Sequence, residues 1–466
     1  MTQTLRFITT WVLFATAFLG LAGWLHYNGF LSESTVRIWS KVILQLDGPP
    51  GFQSSESLYP PLPLFVSMIL HKIIGASGIP IPTLSGVLAA SLVAACIFLR
   101  MTEHGKYRHT TAFLVLALML GNPVSLYAIT GTSEVSFLFL GLWTTTNGLF
   151  RLRRTGAAPD MMQIGIGLMI VGLSSNYGLL ICLSALPFLA IAAPPRLIVA
   201  SSSGTILAIV FPVFCAVGSL FLLSAVFDTP LIAKDLEFGA SETFRVTAVL
   251  FLVSGGLAHL TTLAIWRGGQ SAVPMICMIG TVGSAMLLDL SIGYFNDVFL
   301  TASPLILLGC AGLCAWPQRK MRGLIVVFAT TFAWAGGFYQ LSQHDNPVVV
   351  QWSDAVYGKQ TDIRDVELVA RFLSEREGVM LDGEQNPELI VALDGIDRLV
   401  LNGAPEFELV AEGGRPKENY IVLRNVPTAP VIKDRLMRRF ATVKDSPPGG
   451  YTIILEQGEW IVLERI

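Results

Sequence analysis

From Phe7 to Leu341 the chain alternates uncharged apolar runs, many of about 18 residues or more, with short polar loops; from residue 351 onward it changes to short, mixed periods. A bilayer's hydrocarbon layer takes about 20 helical residues to cross, so the long runs read as spanning helices. Eleven spans are expected: 7–25, 82–100, 110–128, 134–150, 162–175, 177–193, 197–226, 244–266, 271–289, 296–315 and 323–341. The uncharged stretch from Met161 to Ala193 is too long for one ordinary span, and "SSNYG" in its middle supplies turn formers that divide it into two short helices. Pro212 is expected to kink the run 197–226. The first run continues unbroken through Trp24, past the small residues Ala15-Thr16-Ala17, which fits an uncleaved anchor better than a signal peptide.

One apolar run is not expected to cross. In "SSESLYPPLPLF", residues 54–65, three prolines lead into a core, Leu62 to Leu70, that His71 and Lys72 close too soon for a bilayer. A surface helix over 60–74 is expected instead, with its prolines in the first turn, where a missing N–H leaves no bond unmade. An amphipathic surface helix is expected over 33–47 as well. Charge supports this count. With the N-terminus in the cytoplasm, 12 of the 17 Lys and Arg before residue 351 fall inside and five (Arg37, Lys41, Lys72, Lys234, Arg245) outside. Were 60–74 a span, every later loop would change sides, and "RLRRTG" and "QRKMR" would be translocated.

Composition then separates two parts. Hydrophobic residues make up 53% of the chain and charged ones 14%, with a net charge of -2. Residues 351–466 nonetheless hold 20 of the 33 carboxylates and 14 of the 31 Lys and Arg. The expected organisation is a polytopic α-helical membrane domain, 1–341, followed by a small water-soluble α/β domain, 351–466. In the latter, "DIRDVELVARFLSERE" has helical spacing, while "GVMLD", "RLVLN", "NYIVLRN" and the pair "YTIILEQGEWIVLERI" read as strands. "DGEQNPE" and "AEGGRPKE" read as solvated loops. All six cysteines lie in apolar runs, so neither a disulfide framework nor a zinc knuckle is indicated. Nothing in the charge distribution points to nucleic acid.

Ionisable residues are nearly missing from the span interiors, unlike the pattern of many ion or solute transporters. No internal repeat relates the two halves of the chain either. Acids gather instead beyond helix ends on the side assigned outside: Glu33, Asp47 and Glu56 in the first loop, Glu134 at the head of the fourth span, and Asp228, Asp235, Glu237 and Glu242 in a later loop. Chemistry at the outer membrane face follows from that placement.

A first span, an outer loop with "SESTVRIWSKVILQLDG", then "YPPLPLF", "NPVSLYAITGTSEVSFLFL" and "GLMIVGLSSNYGLLICLSALPFL" together resemble the GT-C superfamily of polyprenyl-phosphate-dependent membrane glycosyltransferases. Bacterial relatives of protein O-mannosyltransferases and of lipid A aminoarabinose transferases are the most similar. The resemblance implies a GT-C-like fold in a bacterial inner membrane, with the C-terminal domain periplasmic. It implies transfer of a sugar from a polyprenyl-phosphate carrier to the hydroxyl of a glycan, lipid or protein acceptor, with inversion at the anomeric carbon. Glu33 matches the family's general base in the first outer loop. Glu134 matches a second acid that opens the fourth span, and Glu56, near the prolines, is a third candidate. Where relatives carry basic residues, this chain has Asn176 and, directly before the paired prolines, Tyr59. Substrate contacts would then fall to Tyr59, Lys72, Lys234 and Arg245. No metal-ligand set is indicated, and a divalent cation is the one cofactor left open. Glu33 also has a plain structural reading, because Ser32-Glu33-Ser34 supplies both a cap and a first-turn acid for the helix that follows. A non-catalytic scaffold of an envelope-polymer assembly is the competing function, and a lipid or polysaccharide transporter is the third.

Overall fold

The structure, a computed structural model, describes residues 3–49, 59–75, 78–227, 272–292, 297–314, 321–342, 346–361, 363–393, 395–425 and 434–466. The expected span 244–266 lies outside them, as do Glu56, Lys234 and Arg245.

Helices α1 (Gln3–Tyr27), α2 (Glu33–Asp47), α3 (Pro61–Ile74), α4 (Ile81–Glu103), α5 (His109–Leu120), α6 (Pro123–Gly131), α7 (Ser133–Thr155), α8 (Ala158–Ser174), α9 (Asn176–Ala192) and α10 (Pro195–Phe227) follow one another, with short connections from α3 onward. Helices α11 (Ala272–Ile292), α12 (Val298–Cys314) and α13 (Arg322–Ser342) complete the apolar bundle around one continuous hydrophobic core. Among the described residues, five helical stretches are long and apolar enough to cross a membrane: Thr4–Tyr27, Ile81–Glu103, Ser203–Val226, Ala272–Asp289 and Arg322–Ser342. The bent pair α5 and α6 makes a sixth if taken as one span, and α3, α8, α9 and Phe299–Cys314 are shorter apolar helices.

Local chemistry explains the breaks. The stretch Met161 to Ala193 divides at Ser175, whose hydroxyl caps α9 by accepting from Gly178 N at 3.0 Å. One expectation is corrected, and one break was not expected. The run 110–128 is not straight but turns by 67° between α5 and α6. Asn122 caps α6 there, Pro123 follows at the first helical position, and the Asn122 amide donates to Ala333 O at 2.9 Å. In α10 the helix runs on through Pro212, and the departure from helical geometry is at Ser201, with φ −165° and ψ 94°. Ser201 Oγ accepts from Gly204 N at 3.2 Å, so it caps the second half of α10. Helices α7 and α8 pack closely. A Cβ on Gly167 would sit 2.6 Å from Thr145 N, so only glycine admits this approach.

The two ends of the bundle differ in chemistry. At one end Arg153 donates to Ala193 O at 2.8 Å, Arg196 to Thr155 O at 2.9 Å and Arg322 to Gly105 O at 2.7 Å. At the other, Trp24 Nε1 donates to Val356 O at 3.2 Å, Trp352 Nε1 to Thr130 Oγ1 at 2.9 Å and Tyr127 OH to Asp297 Oδ2 at 2.6 Å. Helix α3 packs at this second end. The hydroxyl of Tyr59, two residues before α3, donates to Ser175 O at 3.0 Å, Ser67 Oγ is 3.3 Å from Ser85 Oγ in the first turns of α4, and His71 Nε2 is 2.9 Å from Asp47 Oδ2 at the end of α2. These contacts tie a helix of 14 residues, about 21 Å long, to the α8–α9 junction, to α4 and to α2.

The C-terminal part carries a four-stranded sheet in the order β1-β2-β4-β3. Strand β1 (Val379–Met380) runs parallel to β2 (Tyr420–Arg424), and β4 (Trp460–Arg465) is antiparallel to both β2 and β3 (Tyr451–Gln457). Of "RLVLN", only Val400 joins the sheet, through one bridge to Met380. Leu44 of α2 packs into the core on one side of this sheet, beside Leu389 and Ile390. Ile38 and Val42 of α2 pack against Leu64 of α3. Helix α2 is thereby held between the sheet and the bundle.

Candidate functional site

The site grows from the caps of two helices. Ser32 caps α2, accepting from Thr35 N at 3.2 Å, and the Thr35 hydroxyl donates to Gly131 O at 3.1 Å, with Ser32 Oγ donating to the same carbonyl. Thr132 caps α7, accepting from Glu134 N at 3.2 Å. These bonds fix the head of α2 against the head of α7. Ser34 then bridges them: its hydroxyl lies 3.0 Å from Thr132 Oγ1 and donates to Glu134 Oε1 at 3.2 Å.

Glu33, Arg37 and Lys41 follow at intervals of four residues, so they form one stripe along α2. Arg37 pairs with Glu33 at 2.8 Å, and both Arg37 and Lys41 lie near enough to Glu134 to attract its carboxylate. The Glu33 side chain is 69% exposed, whereas Glu134 is partly buried beneath the stripe. Glu33 is thus exposed beside Arg37, and Glu134 feels both Arg37 and Lys41.

Tyr59 is buried, and its hydroxyl donates to Gly172 O as well as Ser175 O. Burial pushes its phenol well above the usual value, so it is a neutral donor at any physiological pH. Glu134 acts electrostatically on Tyr59, which places the two together. Asn176 opens α9 beside the same junction, and its Oδ1 has no donor among the described residues. Lys72 is exposed in the last turn of α3, about 20 Å from Tyr59 by helix rise, and is not part of the cluster. Arg37 and Lys41 were not among the residues singled out by sequence, although their spacing from Glu33 is the helical one. Behind Ser32 and Thr35 a small cavity is walled by His26, Thr83 and Thr130. Among the described residues no three His, Cys, Asp or Glu side chains are grouped to hold a metal ion.

The fold has counterparts among solved structures. ArnT from Cupriavidus metallidurans bound to undecaprenyl phosphate superposes with a TM-score of 0.58 at 11% identity, covering 98% of this chain and 98% of that one. The same protein in the apo state gives 0.55, again at 11% identity and 98% of each chain. The oligosaccharyltransferase of Archaeoglobus fulgidus in the apo form gives 0.50 at 11% identity, over 90% of this chain and 69% of that one. No family model and no curated protein matches the sequence.

Proposed function

We propose that this chain, whose fold is that of the GT-C membrane glycosyltransferases, transfers a sugar from a polyprenyl-phosphate carrier to an acceptor hydroxyl at the outer face of the membrane, with inversion. The observation that carries the reading is the stripe Glu33-Arg37-Lys41 laid over Glu134 at one end of an apolar bundle. A solved structure with this fold is bound to undecaprenyl phosphate, which supports the same carrier class here.

In this reading Arg37 and Lys41 hold the donor phosphate, since a guanidinium fork and an ammonium beside it match its oxygens. Glu134 and Ser34 keep the two cations oriented. As the bond from the anomeric carbon to the phosphate oxygen breaks, negative charge grows on that phosphate, and the cations stabilise it there. Glu33, the exposed acid, takes the proton of the acceptor hydroxyl as it attacks the opposite face of the sugar. Residues 351–466 act as a periplasmic domain that reaches the site through Leu44 and α2.

The test is turnover by Glu33→Gln and Glu134→Gln beside the parent protein. Loss of a general base lowers the rate by roughly 10²- to 10⁴-fold, so Glu33→Gln is expected in that range with expression unchanged. Transfer by Glu33→Gln within a few-fold of the parent removes Glu33 from the mechanism. The scaffold reading draws on a specific feature, the exposure of Glu33 in a simple i,i+4 pair with Arg37; it requires that neither variant changes the protein's effect in the cell.

A further inference from the structure

We propose that the end of the bundle opposite Glu134 binds the phosphate of an anionic phospholipid, held by Arg100 at the end of α4 and Arg154 at the end of α7. This site is separate from the sugar-transfer reading and does not depend on it.

Four cations at that end already have work within the fold. Arg153 and Arg196 cap helix carbonyls, at 2.8 Å to Ala193 O and 2.9 Å to Thr155 O. Arg322 donates to Gly105 O at 2.7 Å and Lys106 O at 3.0 Å and lies 3.9 Å from the centre of the Tyr107 ring. Arg151 pairs with Asp160 at 2.9 Å, and the second oxygen of that carboxylate accepts from Thr155. Arg100 and Arg154 are different: among the described residues neither guanidinium has an ion pair or a hydrogen bond. Yet Arg100, Arg151 and Arg154 stand close enough to repel one another, and His104, one turn beyond Arg100, lies in the same field. Among the described residues, the acids near this site are Asp160, committed to Arg151, and Glu103, which faces His104.

Arg100 is also half-buried, so water meets its charge only in part. Arg100 and exposed Arg154, in the last turns of the packed helices α4 and α7, leave a positive patch suited to a bridging anion. Paired forks of this kind match phosphate oxygens.

Depth selects the source of the phosphate. From Glu134 to Arg154 along α7 the axis rises about 30 Å, the thickness of a hydrocarbon layer. Arg100 stands a similar distance from the start of α4 at Ile81, about 29 Å. With Glu134 at one interface, Arg100 and Arg154 reach the headgroup layer of the other. Basic recesses between spanning helices at that level take anionic headgroups.

The experiment uses the full chain in neutral detergent, titrated with phosphatidylglycerol, phosphatidylcholine or inorganic phosphate, and reads the thermal midpoint and lipid adducts by native mass spectrometry. Phosphatidylglycerol is expected to raise the midpoint and to persist as an adduct, with phosphatidylcholine and inorganic phosphate far weaker. In Arg100→Gln/Arg154→Gln the apparent affinity for phosphatidylglycerol is expected to fall roughly 30-fold, the factor for two basic side chains at an anionic membrane surface. The same variant is expected to melt no lower than the parent without lipid, because repulsion is relieved; this separates lost binding from lost folding. Phosphatidylglycerol binding that survives in the double variant overturns the site. Equal stabilisation by inorganic phosphate overturns the lipid as its ligand.

Discussion

Replacing Asp382 by asparagine is expected to stabilise the C-terminal sheet at pH 8 and to change it little at pH 5. Asp382 is 2% exposed, just beyond β1, and faces Asp434, itself 3% exposed at the cap of the helix Arg435–Arg439. Burial, then the Asp434 charge, and more weakly Glu384, push the Asp382 carboxyl up to about 7, against bonds from Arg435 N and Gln385 N that favour its ionised form. Asp434 is raised too, chiefly by burial, despite accepting from Met437 N, Arg424 N and Asn386 Nδ2. The nearby cations are largely engaged elsewhere, Arg435 with Glu408 and Arg424 with Glu388 and Glu459. The sign follows from which state holds the proton. Below 3.8 folded and unfolded chains are both protonated; between 3.8 and about 7 the folded chain keeps a proton that the unfolded chain releases, so stability falls as pH rises. Above that window the penalty is complete, at most about 4 kcal/mol. Asparagine preserves the shape and an acceptor for Arg435 N, so a gain of about 1–3 kcal/mol at pH 8 is expected once lost hydrogen bonding is allowed for. A cysteine at the buried position Val422 reports opening of the sheet through its labelling rate, located by mass spectrometry and compared between parent and Asp382→Asn at each pH. A variant that opens more readily than the parent at pH 8 refutes the reasoning.

Other expectations concern packing, topology and donor binding. Gly167→Leu forces α7 and α8 apart and is expected to cost at least about 1–3 kcal/mol, read as a lowered thermal midpoint or loss of folded protein. A cysteine at Gly78 and a reporter fused after Ile466 are expected to report the same, extracytoplasmic side; a Gly78 thiol that reacts only from the cytoplasm would make α3 a span. Arg37→Gln is expected to raise the KM for the lipid-linked donor about 10- to 100-fold, the size of a lost charge-assisted contact. An unchanged KM would shift phosphate recognition away from α2.

Helix limits were most legible where cap chemistry and apolar periodicity agreed. Ser32 before the amphipathic run, Pro61 at a first turn and Ser175 within a long apolar stretch all mark the ends seen in the structure. The bend between α5 and α6 was hidden because apolar residues continue on both sides of Asn122, and hydropathy does not register a cap whose amide finds a carbonyl on α13. The break at Ser201 was hidden as well. A proline can remain in an apolar helix whose neighbours accommodate it, whereas Ser201 stops the helix by offering its own hydroxyl. "RLVLN" has strand composition but contributes one bridge, because the chain is already turning into and out of Ile396–Arg398 and Pro405–Ala411. "DGEQNPE" looked like a solvated loop, yet Asp382, Glu384 and Asn386 are buried; the polar letters carried no sign that partners from distant residues, such as Trp460 Nε1 at 3.0 Å from Asn386 Oδ1, would cover them. At the site, Glu33 and Glu134 stood out as lone acids beside helix starts. Arg37 and Lys41 were read as topology markers, and only the meeting of α2 with α7 turns them toward Glu134.

The measurement that bears most directly on the central claim is consumption of a labelled polyprenyl-phosphate sugar by the purified full chain, supplied with membranes from its source as acceptor. The account predicts that label leaves the lipid fraction, that free polyprenyl phosphate accumulates in proportion, and that Glu33→Gln slows both by the range stated above. A parent protein that neither binds nor consumes any such donor would contradict it.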